Sequence, residues 1–131
     1  DVNEASVVLR LVYGDVSFLL TGDAGFSAER DLVNSAAALQ ASVLKVGHHG
    51  SDGSTSAAFL EAVSPALALI SSGAGNPFGH PSPTTRLRLA GIPVLRTDLN
   101  GRVTLRTDGS RLWSSVERGS AQLAPLGSGR K

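Results

Sequence analysis

From Ser6 to Val116 the chain alternates short apolar runs with segments whose apolar residues recur every three or four positions. "SVVLRLVYG" (6–14) and "VSFLLTG" (16–22) are β-branched and apolar, and Gly14–Asp15 between them predicts a hairpin. "SAERDLVNSAAAL" (27–39) has helical spacing, with Ser27 at the capping position. "SVLKVG" (42–47) reads as a buried strand, and "STSAAFLEAVSP" (54–65) as a second helix opened by Ser54 and stopped by Pro65. "ALALISSG" (66–73) is another buried strand. "SPTTRLRLAG" (82–91) predicts a short helix with Pro83 in its first turn and Gly91 at its end. "PVLRTD", "GRVTLRT" and "SRLWSSV" close the chain as strands, with Asn100–Gly101 as a hairpin turn. Glycine, serine and proline dominate from Glu117, so residues 1–116 read as one domain and 117–131 as a loose basic tail.

The order β-β-α-β-α-β-α-β-β predicts an α/β fold, a mixed sheet with helices on one face. Helical crossovers make the strands ending near Leu20, Val46 and Ile70 parallel, so their C-terminal ends share one edge of the sheet. Asp23 follows the first of these strands, His48 and His49 the second, and the loop 71–80 with His80 the third. These are all three histidines of the chain. Neighbouring strands are ~4.8 Å apart, close enough for side chains at their ends to share one ion.

The residue types at that edge suit a divalent cation. Aspartate can ligate and bridge hard or borderline ions, and neutral imidazole suits zinc or manganese. Taken singly, Asp23 also reads as a turn residue capping a helix, and each histidine as an ordinary hydrogen-bonded side chain. If His48 and His49 continue a strand, they point to opposite faces. One then ligates while the other supports it or touches substrate, and His48 is the preferred ligand. In "SSGAGNPFGHPSP" (71–83) two prolines stiffen the path to His80, and Ser71, Ser72 and Asn76 can donate to a phosphate oxygen. Phe78 is the one aromatic placed to stack on a base. Ser51 so close to His49 gives no nucleophile–base pair, and no Gly-x-Ser-x-Gly elbow or Gly-Lys-Ser/Thr phosphate loop occurs.

Composition adds three constraints. There is no cysteine, so disulfides and thiolate metal sites are excluded, which suits an oxidising compartment. There is also no methionine, as expected of a processed or excised piece of a longer chain. Net charge is +1, but residues 1–85 carry −5 and residues 86–131 carry +6. The basic half, with Arg86, Arg88, Arg96 and Arg102, has the polarity of a polyanion-binding flank or of strands decorated with arginine.

The blocks "NEASVVLRLVYGDVSFLLTGDA", "LKVGHHGSDGSTSAAFLEAVSPALALISSGAGNPFGHP" and "GIPVLRTDLNGRVTLRTDG", in this order, resemble the C-terminal metallo-β-lactamase-like domain of ComEC-type DNA-internalisation competence proteins. The likeness runs from about Asn3 to about Gly109. It implies the second half of an αββα sandwich with a dinuclear Mn2+ or Zn2+ centre between the halves. In such proteins the domain is attached to a polytopic membrane channel, lies outside the cytoplasm and degrades the non-transported strand of incoming DNA. Asp23 then looks like the bridging aspartate, His48 like a metal or catalytic histidine with His49 beside it, and His80 like the late histidine of the site. Ser51, Ser71, Asn76, Arg86 and Arg96 are the expected contacts to DNA.

One departure qualifies the likeness. The superfamily's His-x-His-x-Asp-His block is absent, and near Asn3, where other branches carry a ligand histidine, the chain reads Asn-Glu-Ala-Ser. The block is expected on a missing N-terminal half, and the chain alone is expected to be inactive or to pair with a second copy. Two other functions fit the same residues: a non-catalytic DNA-binding half-domain, and a hydrolase of a small ester or lactone.

Overall fold

The computed structural model describes residues 2–120. Its centre is a five-stranded sheet of β1 (Leu9–Tyr13), β2 (Val16–Leu20), β3 (Val43–Lys45), β4 (Leu67–Ile70) and β5 (Val94–Arg96), in that spatial order. β1 and β2 form the antiparallel hairpin around Gly14–Asp15, and β2 to β5 run parallel. Each parallel step needs a crossover, and each crossover carries a helix: α1 (Phe26–Asn34), α2 (Ala57–Val63) and α3 (Pro83–Arg88). A single turn, α4 (Thr97–Asn100), leads into β6 (Val103–Thr107) and β7 (Leu112–Val116), a separate antiparallel ribbon.

Alternation along the strands gives the sheet two faces. On one, Leu19, Leu44, Ala68 and Ile70 are buried against Phe59, Leu60 and Val63 of α2 and Leu89 at the end of α3. On the other, Val16, Val43, Leu67 and Leu95 are buried against Leu112, with Val103, Leu105 and Val116 of the ribbon packed around them. Each such fully buried side chain contributes about 1.5–3 kcal/mol. The helices therefore occupy one face, as the element order predicts, and the ribbon covers part of the other. β1 is left bare: all five of its residues are exposed, including Leu9, Leu11, Val12 and Tyr13.

Several local expectations are corrected. Ser27 does not cap α1; Gly25 occupies that position, and the Ala28 N–H is taken by Glu4 Oε2 at 2.7 Å instead. α1 also stops at Asn34 rather than near Leu39, where Ser35 turns back its N–H to Asp31 and its hydroxyl to Leu32. Ser54 is buried and donates to the Gly47 carbonyl at 2.9 Å, so the cap of α2 falls to Ser56, whose Oγ accepts the Phe59 N–H. Asn100–Gly101 ends α4 and joins no hairpin; β6 and β7 pair around Asp108–Gly109, where Asp108 accepts the Ser110 and Arg111 N–H groups. At the expected start of the tail, Glu117 and Arg118 donate backbone N–H groups to Arg102 and Asn100. The rest of the expected tail, 121–131, lies outside the described residues. Among the described residues no helix is long and apolar enough to cross a membrane.

Candidate functional site

The C-terminal ends of β2, β3 and β4 are tied together by backbone and hydroxyl contacts. Buried Thr21, just past β2, donates to the Lys45 carbonyl at the end of β3. Gly22 turns with φ +55°, its carbonyl accepting the His48 N–H at 3.0 Å, and the Asp23 N–H donates to Ser6 Oγ. Ser6 and Glu4 of the "NEAS" segment thus hold backbone in place, Glu4 that of α1 and Ser6 that of Asp23.

His48 and His49 lie in a 3₁₀ turn, Gly47–Gly50, with φ of 45° and 56°. The strand alternation used to separate them does not apply, because neither residue is extended. Left-handed backbone at a residue with a Cβ costs of order 1–3 kcal/mol and is retained where the surroundings enforce it. Here the enforcement comes from the third loop: the Ser82 N–H donates to Gly50, and Thr85 Oγ1 donates to Ser51 at 2.7 Å. A Cβ on Gly50 would fall 2.6 Å from the Pro81 Cβ, so glycine is what lets the two loops meet.

This geometry sets His49, rather than His48, beside the aspartate. His49 Nε2 is 3.8 Å from Asp23 Oδ1, and His49 Nδ1 is 2.8 Å from the Ser71 carbonyl. A carbonyl only accepts, so Nδ1 carries the proton in that contact and Nε2 faces the carboxylate. Two electron-rich atoms facing each other call for a cation between them, either a proton or a metal. An imidazole held through its other nitrogen by a carbonyl is the usual way to aim a metal ligand.

His48 belongs to a second group. Its ring is 5.9 Å, edge-on, from that of His80, and 6.5 Å from that of His49. His80 Nδ1 is buried with no hydrogen-bond partner. Asn76 locks the loop, donating to the carbonyls of Gly73 and His80 and accepting the His80 N–H. With both its donor hydrogens and its oxygen used this way, Asn76 positions His80 and is not a free donor to phosphate.

Lys45 is a site residue that sequence reasoning missed. It ends β3, half-buried, and its Nζ donates to the Val46 carbonyl at 2.8 Å. Burial pushes its ammonium below the ordinary lysine range, and the Asp23 charge opposes that shift. The available signal was a lone lysine closing an otherwise apolar strand.

Other expected contacts have partners inside the fold. Arg96, expected to meet DNA, places Nε and Nη2 on the two oxygens of Asp98 at 3.0 and 2.5 Å. That fork holds the Asp98 carboxyl below its usual range. Arg88 donates to the carbonyls of Ser54 and Asp52 and lies over the Phe26 ring, 5.0 Å from its centre. Ser51 is buried, its Oγ accepting the Gly53 N–H. Ser71 meets His49 through its carbonyl. Arg86 and Arg102 remain exposed.

The chemistry of Asp23 and His49 fits a divalent cation as two of its ligands. Among the described residues no group of three His, Cys, Asp or Glu side chains is close enough to hold one.

With this sheet and this rim, the chain belongs to the metallo-beta-lactamase superfamily, whose family model matches residues 2–73. Members of that superfamily generally bind divalent metals. The chain is 46% identical over 104 residues to "Competence protein ComA" of Neisseria gonorrhoeae, with 77% of this chain and 15% of the relative covered. It is 42% identical over 106 residues to "ComE operon protein 3" of Bacillus subtilis, covering 79% of this chain and 14% of that one. It is 36% identical over 125 residues to "Recombination protein 2" of Haemophilus influenzae, covering 94% and 15%. The chain thus spans about a seventh of the length of these relatives. No solved structure matches it.

Proposed function

We propose that the chain is the second half of a metal-dependent phosphodiesterase that cuts DNA during competence-linked uptake, degrading the strand that is not transported. The observation that carries this is the Asp23–His49 pair, with His49 Nδ1 donating to the Ser71 carbonyl and Nε2 turned to the carboxylate. The name of the Neisseria gonorrhoeae relative supplies the context of competence. Attachment to a membrane channel and a place outside the cytoplasm belong to this proposal. So does a complementary half, bearing the remaining ligands, that packs near the bare β1.

Asp23 and His49 would hold the cation, manganese or zinc, from the side of this chain. When bound, a divalent metal polarises the phosphoryl oxygen and stabilises charge in the displacement. The residues here supply orientation and proton control. Ser71 holds the His49 tautomer, and the Ser6 hydroxyl fixes the Asp23 backbone. Lys45 sets its ammonium near Asp23, whose charge opposes the burial that lowers the lysine pKa. His48 and His80, at the same rim, can hydrogen-bond an anionic oxygen or give a proton to the leaving group.

The test is hydrolysis of a labelled DNA duplex by the intact protein with manganese or zinc. Asp23→Asn and His49→Ala each should reduce turnover at least about 100-fold. The 131-residue chain by itself should show little or none. Robust turnover by that chain alone, or intact activity in both variants, would overturn the proposal.

A further inference from the structure

Phe78 is 77% exposed, more than any other aromatic residue among those described. It is not displayed by a loose loop. Asn76 makes three hydrogen bonds within the segment, and Ser72 is anchored to Thr97 by an N–H···Oγ1 bond of 2.9 Å and an Oγ1–H···O bond of 2.8 Å. One face of the phenyl ring stacks on His80, at 5.9 Å between centroids and 25° between planes. None of the buried apolar clusters includes Phe78.

The ring also stands at the end of a series. From Phe78 the centroid steps are 5.9 Å to His80, 5.9 Å to His48 and 6.5 Å to His49, which faces Asp23. A rigid, solvent-facing aromatic plate at the edge of a site for anionic esters has the character of a stacking platform. Stacking takes any base, since every base has a π-face, and it requires the base to be unpaired or splayed.

We infer that Phe78 stacks one nucleobase of a single-stranded or frayed nucleic acid whose backbone runs along His80 and His48 toward Asp23. The inference rests on the phosphodiester reading of that rim and adds to it the state of the substrate: a strand presented with its bases unpaired. Arg86, exposed on the helix that follows the loop, is available to the same backbone.

The experiment is equilibrium binding by the intact protein, in EDTA to prevent cleavage, of two fluorescent probes. One is an oligothymidylate of about 12 nucleotides, and the other is an abasic strand of the same length and charge. Wild type should prefer the thymidylate by roughly 5- to 150-fold. Phe78→Ala should abolish that preference while leaving the abasic affinity unchanged, and Phe78→Trp should restore it. Equal binding of the two probes by wild type would overturn the stacking platform, even with metal-dependent cleavage intact. So would an equal loss for both probes in Phe78→Ala. Failure to bind either probe would sink the platform together with the phosphodiester reading. Loss of cleavage with the thymidylate preference preserved supports the platform and removes only the catalytic reading.

Discussion

His49 Nε2 faces Asp23 Oδ1 at 3.8 Å while its Nδ1 is bound to the Ser71 carbonyl, so the ring nitrogen and the carboxylate confront each other across a gap. Metal binding should depend on both residues and only weakly on His48, whose ring adjoins His80 instead. In calorimetric titration of the intact protein with zinc, His49→Ala and Asp23→Ala each should weaken binding at least about tenfold, and His48→Ala should cost less. The reverse ranking of the two histidines would place the cation elsewhere on the rim.

Arg88 and Arg86 are two residues apart on α3, yet only Arg88 is tied to the fold. Its guanidinium satisfies carbonyls of Asp52 and Ser54 and covers Phe26. Hydrogen bonds from a charged donor are worth about 1.5–3 kcal/mol each when lost, less where solvent replaces them. Arg88→Ala should therefore lower unfolding free energy by about 2–3 kcal/mol, and exposed Arg86→Ala by less than about 0.5 kcal/mol. Urea denaturation monitored by circular dichroism separates the two.

The order of elements was legible because each apolar run is long enough to be buried and each crossover carries helical spacing. Asp23, His48, His49 and His80 were legible as a group for a related reason: strand polarity carries distant residues to one rim. Helix starts were less so. Ser54 has the character of a cap, but its hydroxyl is drawn to Gly47 by burial that no local pattern reveals. The histidine pair reads as a continued strand because nothing local announces left-handed backbone at two non-glycine residues; the folded loops, meeting at Gly50 and Pro81, hold it. Arg88 and Asn76 looked free for phosphate since their carbonyl partners are fixed only by the folded loops, and Lys45 looked like strand filler. In each case the missing information was a tertiary partner.

Glu29 is 2% exposed, and its carboxyl accepts the N–H groups of Thr55 and Ser56 at the entrance to α2. Desolvation raises its pKa, outweighing those hydrogen bonds and the nearby Arg88 charge, all of which lower it. A folded-state pKa above the unfolded value means that the folded form binds the proton more tightly. The linked stability is then full below the ordinary glutamate range and is lost as pH rises through the raised value. Glu29→Gln does not titrate. Its stability deficit against wild type, about 1–3 kcal/mol at pH 4 from disturbed hydrogen bonds, should shrink as pH rises toward 7. A deficit that widens over that interval, in paired denaturation curves, would mean that the carboxylate's hydrogen bonds dominate its burial.

Of the four arginines that sequence reasoning gave to a polyanion-binding flank, Arg88 is engaged with carbonyls and Arg96 with Asp98, leaving Arg86 and Arg102. Each phosphate contact on a single strand contributes roughly −0.7 to the slope of log affinity against log salt. Four contacts would give about −2.8, and two about −1.4. Oligothymidylate affinity measured across a potassium chloride series should lose about 1.4 of its slope in the Arg86→Ala, Arg102→Ala double variant. Arg96→Gln should leave the slope unchanged, because its guanidinium is already neutralised by a carboxylate two residues away. A flattening by Arg96→Gln as large as that of the double variant would show the Arg96–Asp98 pair opening to bind phosphate, and the basic flank would extend to β5.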